Sequence, residues 1–110
     1  MYEAYKKPNL VHSFKKAPKL IMEFHYPISG DELDLEYFMN NDPTLLETKI
    51  RQLALLFEET NLVTDEGKPV MLKTDILPLK CGVFANMPIG MLEELHEALI
   101  KYYPEWKVVD

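Results

Sequence analysis

The sequence predicts an α+β fold, with an N-terminal β-hairpin packed across two main amphipathic helices plus a short helix. An extended basic arm precedes this body. Three observations carry the prediction. A stretch of helical period runs from Asp42 to Thr60, a second runs from Pro88 to Tyr102, and two stretches of period two lie before both. Apolar residues spaced three and four apart share one helix face, whereas alternating ones share one face of a strand.

The first 19 residues, MYEAYKKPNLVHSFKKAPK, have no sustained period. Pro8 and Pro18 forbid a helix through them and bias Lys7 and Ala17 towards extended backbone. The segment carries five lysines against Glu3, a net charge of +4. Residues 20–110 carry seven basic and seventeen acidic side chains, a net charge of −10. The division is therefore read as a basic arm, 1–19, on one acidic domain, 20–110. Tyr2, Tyr5, Leu10, Val11 and Phe14 are too many large apolar groups for an inert tail. Such an arm lies either on its own domain or on a partner.

In the next stretch, KLIMEFHY, Leu20, Met22, Phe24 and Tyr26 alternate with Ile21, Glu23 and His25, the pattern of a half-buried strand. After the turn signal PISGDE, Leu33, Leu35 and Tyr37 alternate with Glu32, Asp34 and Glu36. Paired, these two stretches form the expected hairpin, with an acidic outer face on its second strand. A competing reading makes Ser29 and Glu32 a capping box, with Leu35, Phe38 and Met39 on one helical face. That reading yields a mostly α fold.

The central helix is read from Asp42 as N-cap and Pro43 at the first helical position. Leu46, Ile50, Leu53 and Phe57 mark its apolar stripe, widened by Leu45, Ala54 and Leu56. Beyond it, Asp65-Glu66-Gly67 is a turn, with Gly67 the natural residue for positive φ. Leu62-Val63 and Val70-Met71-Leu72 are two candidate short strands, the second held to an edge or a strand start by Pro69. Thr74 or Asp75 then caps a short helix containing Pro78, weakened by Gly82. The final helix is capped by Asn86 and shows Ile89, Leu92, Leu95, Leu99 and Tyr102 on one face. Pro104 ends it, and Trp106 is expected to fold back on the core as a latch.

At 110 residues, 47% apolar and 27% charged, the chain suits one soluble folded domain with a modest core. Its apolar runs fall far short of the ~20 residues of a membrane span. The N-terminal lysines are followed by no apolar segment, so no signal peptide is expected. The single Cys81 allows no internal disulfide. That favours a reducing compartment: the cytoplasm, or a particle assembled there.

No motif announces chemistry. G-x-G-x-x-G, G-x-x-x-x-G-K-[ST], G-x-S-x-G and H-E-x-x-H are all missing from the sequence. His12, His25 and His96 stand at no metal-ligand spacing. Cys81, between Leu79 and Phe84, reads as a core thiol rather than a nucleophile. Glu58/Glu59, Asp65/Glu66 and Glu93/Glu94 are neighbours that point apart on a helix, hence solvated faces rather than acid/base dyads. No catalytic, cofactor-binding or metal-binding residue is assigned, and no cofactor is expected.

What the pattern does suggest is contact with another protein. Tyr2, Tyr5, Lys6, Lys7, Phe14, Lys15 and Lys16 of the arm form one candidate surface. Met87, Ile89 and Met91, with Met71 and Phe84, form a candidate apolar groove, since methionine suits adaptable surfaces. The chain thus reads as a non-enzymatic interaction module: an accessory subunit or assembly factor of a larger complex such as a viral particle. Its partner is a protein, a neighbouring subunit or a second copy. Lysines interleaved with aromatics also suit nucleic acid, but the arm lacks arginine and the body repels phosphate. A third reading is a small regulator that presents Glu32, Asp34 and Glu36.

Overall fold

The computed structural model describes residues 7–61, 67 and 76–106. The two candidate strands on either side of Gly67, the caps Thr74 and Asp75, and Tyr2, Tyr5 and Lys6 lie outside these residues. Gly67 itself has φ of +81°, as its place in a turn requires.

The order along the chain is β1 (Leu10–Ser13), β2 (Ile21–Phe24), α1 (Ser29–Met39), α2 (Leu45–Leu56), β3 (Phe57–Thr60), α3 (Leu77–Ala85) and α4 (Ile89–Tyr102). A 3-10 turn, Pro104–Trp106, closes the described chain. The class is α+β, built on an antiparallel sheet of order β1-β2-β3.

The hairpin is made by the basic segment itself. β1 pairs with β2 in the register Leu10↔Phe24 and His12↔Met22. Phe14 N–H donates to Leu20 O at 3.3 Å, and Ser13 Oγ donates to Pro18 O at 2.7 Å, which closes the lysine-rich turn between them. Opposite residues of an antiparallel pair share a face. Met22 and Phe24 are therefore fully buried beside half-buried Leu10 and His12, while Val11 and Ile21 point outward.

Residues 33–39 are helical, not the second strand of the expected hairpin. Their period-two pattern would need a sheet edge, and β2 has only two. β1 occupies one and β3 the other. With both edges of β2, its expected partner, already taken, the segment satisfies its backbone internally. The Asp31 carboxylate accepts from Ile28 N–H at 3.1 Å at the helix start, so the cap lies one residue before the Ser29/Glu32 box read from sequence. Of α1, only Leu35 is buried; Phe38 stacks on the Arg51 guanidinium at 4.3 Å, joining it to α2.

The central helix is shorter than its pattern at both ends. Thr44, not Asp42, is the N-cap: its side chain accepts from Glu47 N–H at 3.2 Å, and the Glu47 carboxylate accepts from Thr44 N–H at 3.0 Å. This is a complete capping box. Asp42 instead adopts φ of +52° in the turn before it. At the other end the chain leaves the helix at Phe57 and becomes β3, which pairs with β2. The register Glu23↔Glu59 followed by Phe24↔Phe57 leaves Glu58 as an extra residue, a β-bulge. Phe57 is buried either way, but as a strand residue it also supplies the third strand that a marginal two-stranded hairpin needs.

Asn86 was expected to cap α4 and instead ends α3, with its N–H and Nδ2 donating to Gly82 O at 3.1 and 2.7 Å. α4 starts after Pro88. Its buried residues are Leu92, Leu95 and Leu99, followed by Tyr103 rather than Tyr102. Ile89 is 59% exposed. The core gathers an aromatic group from three elements: Phe24 lies 5.9 Å from Phe57, and Phe57 meets Phe84 edge-on at 5.3 Å. Trp106 is buried, the latch expected of it.

Candidate functional site

A cleft of about 850 Å³ is lined by residues of α2, α4 and the β1–β2 hairpin. Met39, Leu45 and Ile100 are among its apolar lining, together with His12, Lys15 and His96. Leu45 is 67% exposed.

Part of the lining is held by a chain of hydrogen bonds. Gln52 Nε2 donates to Trp106 O at 2.6 Å, so the amide oxygen of Gln52 must look for a donor. His96 Nε2 lies 2.7 Å from it. That fixes the His96 tautomer with its proton on Nε2 and leaves Nδ1 as an acceptor. Burial, assisted by Lys49 nearby and opposed by Glu93, pulls the His96 pKa down to about 4, so the ring is neutral at pH 7.

The lining also carries His12, whose Nε2 lies 2.7 Å from Glu94 Oε2; Lys15 N–H donates to the same carboxylate oxygen at 3.1 Å. The His12 bond is the main reason the Glu94 carboxyl is held below its usual range. The Thr48 hydroxyl donates back to Thr44 O at 2.9 Å within its own helix. Gln52, His96, His12, Glu94 and Thr48 of the lining are thus each bonded within the fold. The cleft is a shaped, partly apolar surface with fixed polar points.

The residues singled out from sequence are dispersed. Lys7 Nζ donates to Tyr102 O at 2.7 Å and lies 5.5 Å from the Tyr102 ring centroid. The Tyr102 and Tyr103 hydroxyls both donate to Pro8 O, at 3.1 and 3.0 Å. Phe14 is 2% exposed and belongs to the core, which corrects its assignment as a partner anchor. An aromatic group at that point in the segment buries more area in its own domain than any exposed pose would. Lys15 reaches the cleft and Lys16 is exposed. Met87 and Met91 pack half-buried against the core, leaving Ile89 as the exposed member of that group.

Cys81 is half-buried and packed against the core, and burial pushes its thiol pKa up. Glu32, Asp34 and Glu36 do not share one face as they would on a strand; on α1 Glu32 and Glu36 are one turn apart and Asp34 is turned away. His25, just after β2, lies against the carbonyl of Leu55 at 3.1 Å, with Asp31 at 3.7 Å and Glu58 at 3.9 Å. Sequence reading passed over Gln52 and weighed His96 only as a metal ligand. The available signal was a polar residue beside each apolar stripe, one next to Leu53 and one next to Leu95.

Among the described residues no three His, Cys, Asp or Glu side chains are grouped to hold a metal ion. No described helix is long and apolar enough to cross a membrane. The architecture places the chain among small α+β domains with a surface cleft between two helices. Comparison with protein-family models, with curated proteins and with solved structures found no match.

Proposed function

We propose that the chain is a non-enzymatic protein–protein interaction module, an accessory subunit or assembly factor of a larger complex in the cytoplasm or in a particle assembled there. The observation that carries this reading is the cleft between α2 and α4, with Leu45 67% exposed beside it and Lys15 at its side. Large apolar side chains left at the rim of a concave surface are what a partner's side chains fill. The basic segment contributes through Lys15 and Lys16, while its apolar residues Leu10 and Phe14 hold it on the body.

Co-purification from the native source tests the reading, with full-length wild type compared with L45D and with K15E/K16E. A defined protein partner recovered with wild type and lost with L45D, at unchanged circular dichroism, is the expected result. Equal recovery with all three chains overturns it. Recovery that disappears on nuclease treatment transfers the assignment to a nucleic-acid accessory protein.

A further inference from the structure

We infer that the outward face of α1 is a second docking site, and that its occupant is a basic amphipathic segment of a partner protein. It is a different surface from the α2–α4 cleft and stands independently of it. α1 runs for 11 residues and buries only Leu35. Leu33 and Tyr37, one turn apart and on one stripe, are 49% and 64% exposed, and Ile28 before the helix is 53% exposed. Helices this short draw most of their stability from packing an apolar face. Here much of the apolar surface faces solvent.

Charge selects the occupant. Asp31, Glu32, Asp34 and Glu36 lie in the helix, which has no lysine or arginine. A cleft of about 430 Å³ opens at its start, lined by Tyr26, Ile28 and Leu33 together with Glu32, Glu36 and Glu105. Its charged lining is carboxylate only. Glu32 and Glu36 stand one turn apart and repel each other, a cost that an incoming cation relieves. Arginine is well suited, because its fork can bond a carboxylate through two N–H groups. A lone cation would leave Leu33 and Tyr37 uncovered. Nucleic acid and anionic lipid would be repelled. The combination fits a segment whose apolar residues are flanked by lysine or arginine, laid along the helix.

The test uses the full chain and a fluorescein-labelled peptide of leucine and lysine at helical period, read by anisotropy. Salt is kept at about 0.15 M, where charges more than about 8 Å apart are largely screened. Saturable binding is expected, weakened about tenfold or more by L33S/Y37S and by E32Q/E36Q, the loss typical of a central contact. The distant charge control E59Q/E97Q should stay within about twofold, and L45D should bind as wild type does. A peptide with leucine and glutamate should not bind. Equal affinity for L33S/Y37S and wild type overturns the inference, because the contact is then charge alone. Equal weakening by E59Q/E97Q overturns it too, since the binding is then unspecific. Self-association in sedimentation velocity that L33S/Y37S abolishes would give the face to a second copy instead.

Discussion

Gln52 and Trp106 exchange two hydrogen bonds across 54 positions of sequence. Gln52 Nε2 donates to Trp106 O at 2.6 Å, and the Trp106 indole Nε1 donates to Gln52 O at 3.0 Å. Both residues are 2% exposed. The end of the described chain is thereby tied to the buried face of α2, and His96 is tied to Gln52. Gln52→Ala leaves the Trp106 carbonyl and the His96 N–H without their partner. The expected loss is about 2–4 kcal/mol, because buried polar groups left unpaired carry their full desolvation cost. Urea unfolding followed by Trp106 fluorescence measures it. A loss below about 0.5 kcal/mol would mean that water replaces the amide and that the network carries little weight.

His96 predicts the acid side of the stability curve. Its folded pKa of about 4 lies below the ordinary value of 6.5 because the fold disfavours the charged ring. Above pH 6.5 both folded and unfolded chains hold it neutral, and its contribution is fully present. As pH falls towards 4 the unfolded chain takes up a proton that the folded chain refuses, so stability drops. The Glu94 and Glu47 carboxyls, both held below their usual 4.5, add to the loss only at lower pH. Denaturation midpoints at pH 7.5 and 5 should differ in wild type and differ less in H96Q, which keeps a donor for Gln52.

Phe14 sets the fate of the basic segment. Phe14→Ala should cost about 3–5 kcal/mol, the usual range for a buried phenylalanine. Removing residues 1–19 deletes β1 as well and should lower the sheet signal and the melting temperature together. Lys16→Ala, an exposed change in the same turn, should stay within about 0.5 kcal/mol. A truncated chain that melts as the full chain does would show that β1 adds nothing to the body.

Thr44 begins the central helix, so Thr44→Ala should lose about 1 kcal/mol. Thr44→Ser, which keeps the hydroxyl that Glu47 N–H uses, should recover most of it. The midpoints of the two variants in urea give the comparison directly.

Cys81 is half-buried and its thiol pKa is raised, so the thiolate that reacts is scarce at neutral pH. Labelling by a thiol reagent should be slow in the native chain and fast in urea. Fast stoichiometric labelling without urea would place Cys81 in an open, activating site.

The helices were legible wherever an apolar stripe persisted for three turns. Leu53 and Leu56 of α2, and Leu92, Leu95 and Leu99 of α4, are buried as their spacing required. Met22 and Phe24 were legible as the inner face of a strand for the same reason. The segment from Leu33 to Tyr37 was misread because Leu-Asp-Leu-Glu-Tyr alternates as a strand does, and alternation carries no information about a free sheet edge. Phe57 was misread in the opposite sense: its spacing continues the helix, while its backbone pairs with Phe24. The candidate surfaces were least legible. Leu45 and Tyr37 are ordinary apolar letters in sequence, and only packing reveals that nothing described covers them.

Composition and period alone determined an α+β domain, a basic segment on an acidic body, two principal amphipathic helices and a tryptophan returned to the core. Each rests on interactions within a few turns of chain or on the simple cost of exposing apolar area. Tertiary structure decided which strands share β2, that the basic segment is one of them, where α2 gives way to β3, and which polar residues meet at Gln52. Those outcomes depend on competition between distant segments for the same sheet edge and the same buried donors and acceptors. A local pattern shows that such a segment has a face to bury; the rest of the fold decides what it is buried against.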